Sequence, residues 1–233
     1  MINTATKKTM LWAFIILQLI AYTILNCVKI SFLHFLSYSI TSLCFVFALI
    51  YISKHSQKYF QIGAFVFTLL ADFFLIALGG KHKTLATSLF LVVQLFYACR
   101  VYYLAYYPKE RLTQLGVRFI VSVLAIVLSF VMLKEKLQAF FIIFAVGYLN
   151  MIISIIFLFK HYKESLWVKL LLVGLILFLL SSAFVGVNFI ATIFNFQSEN
   201  IVYKISNLSI KFINIFYPLS QIIIACSVMV KTH

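Results

Sequence analysis

The chain reads as eight long apolar runs separated by short basic punctuation: Met10–Val28, Ile30–Ser53, Tyr59–Gly80, Thr84–Tyr107, Leu112–Leu133, Leu137–Phe159, Leu170–Phe194 and Phe212–Val230. Each run is about as long as the roughly 20 residues that an α-helix needs to cross a bilayer. The pattern predicts an all-α fold, a polytopic membrane helix bundle of about eight transmembrane helices in a single integral membrane domain covering residues 1–233. Lys29 alone joins the first two runs, and Lys54–Lys58, Lys81–Lys83 and Pro108–Arg111 join the next ones, so tight hairpins are expected. The one longer connection, Asn195–Lys211, carries Asn, Ser and Glu and is expected to be a surface loop or an interfacial helix. Met10–Val28 has the length of a full span and no convincing small-residue cleavage site after it, so it is expected to be a span and not a signal peptide.

Composition narrows the function classes. With 64% hydrophobic residues, 10% charged residues and a mean hydropathy of +1.10, no soluble nucleotide-binding or protease domain fits outside the membrane. A net charge of +14 in a soluble domain would suggest nucleic acid. Here the charges stand singly between apolar runs and read as membrane-edge anchors, so nucleic acid is not an expected partner. Counting Lys and Arg on alternate sides gives 12 on the side of the N-terminus against 7 on the other. Both termini are therefore expected in the cytoplasm, with the chain in the plasma membrane. Cys27, Cys44, Cys99 and Cys226 lie apart in apolar segments, without a CxxC pair or a Cys/His cluster. They read as packed hydrophobes, and no metal or other cofactor is expected. His34 is isolated within a run and reads as a neutral, packed side chain.

Polar side chains inside the runs carry more information, because each needs a partner or a water-filled cavity. Asp72 is the only Asp in the chain and lies deep in the third run, whereas Glu110, Glu135, Glu164 and Glu199 all fall in connections. Gln61, Ala64, Thr68, Asp72 and Gly79 share one helical stripe, which predicts that this stripe faces the bundle interior. At about 1.5 Å rise per residue, Asp72 is roughly 12 Å from the Gly80 end of its run and Gln94 roughly 15 Å from the Thr84 end of the next, so the two are nearly level. Arg100 is roughly 9 Å further along, closer to the cytoplasmic edge, and is expected to snorkel among Tyr102, Tyr103, Tyr106 and Tyr107, not to pair with Asp72. Asn150, Ser181, Ser182, Tyr217, Ser220 and Gln221 occupy comparable central depths. Taken singly, such groups more often hydrogen-bond between packed helices than act in chemistry. A carboxyl in hydrocarbon reverses that weighting, which makes Asp72 the main candidate. No HExxH, GxSxG or phosphate-binding loop is present.

Four stretches resemble the YhhN-like proteins, the membrane lysoplasmalogenase family. Leu69-Leu70-Ala71-Asp72-Phe73-Phe74-Leu75 is similar to that family's Leu-rich segment with a central Asp, and Gln94-Leu95-Phe96-Tyr97 to its fourth-helix stretch. Gly174 through Phe178-Leu179-Leu180-Ser181-Ser182 resembles its second Asp-bearing helix, and Tyr217-Pro218-Leu219-Ser220-Gln221 running to Ser227 its closing helix. The resemblance implies hydrolysis of the vinyl ether bond of a lysoplasmalogen or related ether lysolipid, with a membrane lipid as partner. It implies Asp72 and Ser182 as the catalytic positions, Ser182 standing where the family has a second Asp. Gln94, Tyr97, Ser181, Tyr217 and Gln221 would contact substrate, Gln94 standing where the family often carries His. The alternative reading is a non-catalytic lipid-binding or transport-like membrane protein of the same fold, in which Asp72 is a protonated hydrogen-bond donor.

Overall fold

The computed structural model describes residues 57–78, 82–105, 107–133, 139–161, 165–193 and 201–229, with isolated positions before Gln57. Six helices account for them: α1 (Lys58–Asp72), α2 (Lys83–Tyr102), α3 (Pro108–Leu133), α4 (Ala139–His161), α5 (Leu166–Ile193) and α6 (Ile201–Ser227). There is no strand among the described residues. Backbone N–H and C=O groups have no water to bond in a bilayer core, so helices that satisfy them internally are the stable form for runs this apolar. All six are long and apolar enough to cross a membrane, and the chain is a multi-pass helical membrane protein. The first two expected spans, Met10–Val28 and Ile30–Ser53, and His34 within the second, lie outside the described residues except for single positions. Two of these positions, Ile40 and Cys44, are buried in the core.

The order of helix contacts defines a ring. α1 packs on α2, α2 on α4, α4 on α5, and α5 on α6 in the most extensive contact of the bundle. A hydrogen bond from Tyr217 of α6 to Asp72 of α1 closes the circuit. α3 packs on the outside of α4. Among its described side chains, Leu112, Phe119 and Val131 are more than 60% exposed, as suits a face turned to lipid. α2 and α5 run antiparallel: the Lys83 ammonium lies over the Phe189 ring at 5.8 Å, and Phe178 meets Phe90 and Tyr97 at the other end, each at 6.3 Å.

Close approach of α5 and α6 depends on Gly174. A β-carbon there would stand 2.5 Å from Ile224 Cγ1, 3.1 Å from the Ile224 backbone nitrogen and 3.3 Å from the Ser220 carbonyl oxygen. Only a residue without a side chain fits that contact, the usual device where dispersion and not the hydrophobic effect holds helices together in a membrane. Of the expected interior stripe, Gln61, Ala64 and Thr68 are fully covered and Asp72 is 2% exposed, whereas Gly79 lies outside the described residues.

Two expectations are corrected. The connection Asn195–Lys211, expected as a surface loop or an interfacial helix, is helical from Ile201 and continuous with the last span, so α6 begins about three turns before the expected Phe212. Two of its serines turn to the bundle: Ser206 Oγ donates to Asn188 Oδ1 of α5 at 2.5 Å and Ser209 is fully buried, while Ile205 and Leu208 are exposed. Arg100 does not snorkel. It is fully buried, donating from Nε to Gln57 Oε1 (3.3 Å), from Nη1 to Gln61 Oε1 and from Nη2 to Ser227 Oγ (3.2 Å), with its guanidinium 5.9 Å from the Trp167 ring centre. Neutral acceptors from α6 and from α1 with its preceding residue, together with an aromatic face from α5, replace the water it would otherwise seek.

Candidate functional site

Inside the ring lies a chamber of about 510 Å³. α1, α2, α4, α5 and α6 all contribute to its wall and α3 does not. Most of the lining is apolar, from residues such as Phe90, Leu91, Phe144, Met151, Phe178 and Val185. Its volume falls in the range of about 300–1,000 Å³ that holds small organic ligands. The polar lining is sparse and uneven along the length of the chamber.

One end is acidic. Asp72 sits at the last α-helical position of α1, just before a π-helical turn, Phe73–Ala77, closed by Leu78 N–H donating to the Phe73 carbonyl (3.1 Å). The wider π turn resets the helix register, so that Leu75 and Ile76 line the same chamber as Asp72. Tyr217 OH donates to Asp72 Oδ2, and both side chains are more than nine-tenths buried. The Tyr217 ring is 6.0 Å from that of Phe178, which fixes this pair at the Phe178 end of α5. Gln94, 6% exposed, belongs to the same end, since Phe90 and Tyr97 on either side of it in α2 both contact Phe178. Its Oε1 is buried with no hydrogen-bond partner among the described residues. Ser181 and Ser182 line the wall one turn further along α5.

Of the sequence candidates, Asp72, Gln94, Ser181, Ser182 and Tyr217 therefore share one cavity. Tyr97 and Gln221 are fully buried but do not line it. Tyr97 stands behind Phe178, edge-on to its ring, and Gln221 Nε2 lies 3.5 Å from Ser220 Oγ. Asn150 serves packing, as its type suggested: its Nδ2 donates to Ser122 Oγ and to the Val146 carbonyl, both at 2.9 Å. Arg118 of α3 clamps the same place by donating to the Asn150 carbonyl and Ser154 Oγ, both at 3.0 Å.

Among the polar lining residues, Lys83, Thr87, Tyr148, Asn188 and Asn214 were not foreseen as part of a site. Lys83 was counted as a membrane-edge charge. Asn214 carried a usable signal, because Pro218 stands four residues later within the same helix. Proline has no N–H to give, so the Asn214 carbonyl lacks its ordinary helical donor.

No histidine or cysteine lines the chamber, and no group of three or more metal-ligating side chains occurs among the described residues. The wall thus offers one carboxyl, one ammonium, hydroxyls and amides: enough for proton transfer and for holding water or an alcohol, in mainly apolar surroundings. Comparison with protein families, curated proteins and solved structures finds no match to this chain.

Proposed function

We propose that the chamber takes a single-chain ether lysolipid from the membrane and that Asp72 drives hydrolysis of its vinyl ether bond. The observation that carries this reading is the Asp72–Tyr217 pair, buried on the wall of a chamber that is otherwise mostly apolar. The resemblance of four stretches to the YhhN-like proteins points the same way.

The chemistry balances with one carboxyl. Protonated Asp72 gives its proton to the vinyl carbon remote from oxygen, leaving an oxocarbenium ion. Water adds to the carbon bonded to oxygen while the Asp72 carboxylate accepts one of its protons. The hemiacetal then breaks its bond to the glycerol oxygen, which gains the proton lost by the hemiacetal hydroxyl. One water is consumed, a fatty aldehyde and a glycerophospho-alcohol are released, and Asp72 ends protonated. In this scheme Tyr217 orients the carboxyl, and Gln94, Ser181 and Ser182 hold the attacking water. A second acid is not required, so Ser182 is compatible with turnover.

The purified full chain in nanodiscs should release aldehyde from an alkenyl lysophospholipid. Asp72→Asn should retain the fold and lower the rate by about a hundredfold or more, since an amide supplies no proton. Full activity in Asp72→Asn would end the acid-catalysis reading. A second reading, a lipid-binding or transport-like protein without catalysis, draws on the fact that Asp72 is the only acid in the chamber lining among the described residues. It gains if wild type binds lysolipid yet releases no aldehyde. We further place both termini in the cytoplasm and the bundle in the plasma membrane, on the Lys and Arg bias of 12 to 7. A reporter fused after His233 should then be active on the cytoplasmic side only.

A further inference from the structure

We infer that the Lys83 end of the chamber is an anion site that takes the phosphate of a single-chain phospholipid, the rest of the molecule extending along the apolar wall toward Asp72. This rests on reading the chamber as a lipid site. It does not require that the lipid be cleaved.

The two ends of the chamber differ in charge. Its lining on α2 runs from Lys83 to Gln94, eleven residues or roughly 16 Å of helix. Asp72, Tyr217 and Gln94 occupy the end near Phe178, and Lys83 the opposite one, beside Phe189. Among the described residues Lys83 is the only cation in the lining and makes no ion pair, and it is half-buried. Glu110 is bridged to His161 at 3.1 Å, away from the chamber. The Phe189 ring, 5.8 Å from the ammonium, holds it in place without neutralising it.

The backbone adds to the same preference. Lys83 opens α2, and His82, at the cap position, makes no side-chain hydrogen bond to the helix. The first-turn N–H groups of Lys83, Thr84 and Leu85 have no acceptor within the helix, and the helix dipole is positive there. Ala86 and Thr87, from that same first turn, line the chamber. An ammonium beside an uncapped helix N-terminus is complementary to a phosphate, which has oxygens enough to accept from both. Gln94 supplies an independent sign that the chamber takes a ligand. Its Oε1, on the chamber wall, is buried and has no donor among the described residues, so a hydroxyl or a water brought in with a ligand would satisfy it.

Native mass spectrometry of the full chain in mild detergent tests this with three probes: palmitoyl lysophosphatidylglycerol, monopalmitoylglycerol and glycerol phosphate. Wild type should bind the lysophospholipid about tenfold more tightly than the neutral lipid. Lys83→Gln should erase most of that preference while leaving the neutral lipid's affinity unchanged, and Lys83→Arg should restore it. Asp72→Asn should keep the preference, because the acid lies at the other end. Equal affinity of wild type for the two lipids, or a preference that survives Lys83→Gln in a variant melting like wild type, overturns the inference. Glycerol phosphate binding as tightly as the lysophospholipid would assign the site to a soluble phosphate compound and overturn the lipid assignment. A wild type that discriminates by phosphate yet releases no aldehyde refutes only the hydrolase and leaves this inference standing.

Discussion

The hydrogen bond between Tyr217 and Asp72 joins the two ends of the described helix ring, and its strength can be measured without knowing the substrate. Tyr217→Phe removes the hydroxyl and keeps the ring against Phe178; Asp72→Leu removes the carboxyl and fits the apolar wall. Two scales bound the effect. Withdrawing one partner of a buried polar pair costs about 1–3 kcal/mol in soluble proteins. Coupling energies between polar side chains in a membrane bundle average about 0.6 kcal/mol and reach about 1.7. This pair belongs near the upper membrane value, because Asp72 is 2% and Tyr217 8% exposed, and water does not readily replace either partner. A coupling of about 1–2 kcal/mol is therefore expected, with the double variant more stable than the sum of the single ones. For a chain of this size about 1 kcal/mol shifts Tm by roughly 2–4 °C, within reach of a thermal unfolding assay in detergent. Strict additivity, to within about 0.3 kcal/mol, would show that the two side chains do not depend on each other and would remove the bond that closes the ring.

Gly174→Ala should lower stability by about 1–3 kcal/mol, because the new methyl meets Ile224 at 2.5 Å and the backbone behind it at 3.1 Å; a Tm equal to wild type would mean that α5 and α6 do not approach as closely as described. Ile224→Ala should cost less in the Gly174→Ala background than in wild type, since there it also removes the nearest clashing atom. Arg100→Lys should be destabilising by about 1–3 kcal/mol despite the retained charge, because a single ammonium cannot reproduce the fork that reaches Gln57, Gln61 and Ser227 together. Unchanged melting of Arg100→Lys would reduce those contacts to incidental ones.

How far the sequence carried depends on whether a signal was local to one helix. The α1 stripe was legible, since Gln61, Ala64, Thr68 and Asp72 recur at helical spacing among Phe and Leu and all prove buried. The near-level placement of Asp72 and Gln94 followed from counting rises, and both line the chamber. What one helix does not reveal is what its neighbours present. Arg100 was set at the membrane edge because it lies further along its run than Gln94 and among tyrosines, yet two glutamines, a serine and a tryptophan from other parts of the fold hold it inside. The start of α6 was misjudged because Ser and Asn favour loops in water, whereas in a membrane an inward serine is met by a neighbour, as Ser206 is by Asn188. Lys83 was indistinguishable in sequence from the other basic residues between runs; only the antiparallel pairing of α2 with α5 puts it on the chamber wall.

The chamber also has a local cause in the backbone. Both members of the Asp72–Tyr217 pair stand at breaks in helical regularity: Asp72 immediately before the π turn of Phe73–Ala77, and Tyr217 immediately before Pro218. Each break weakens a helix, one through wider hydrogen-bond geometry and the other through a missing donor and a ring that crowds the preceding turn. Each also moves backbone away from the position that close packing of regular helices demands. Below Pro218 the opposite holds, for Gly174 brings α5 directly onto Ser220 and Ile224 of α6. Tight contact on one side of Tyr217 and irregular backbone on the other leave α6 free to diverge from its neighbours where Ile210, Ile213 and Asn214 line the cavity. Pro218 also deprives the Asn214 carbonyl of its helical donor on that wall. Void and polar groups thus arise together, from two helix irregularities that the Asp72–Tyr217 hydrogen bond holds side by side.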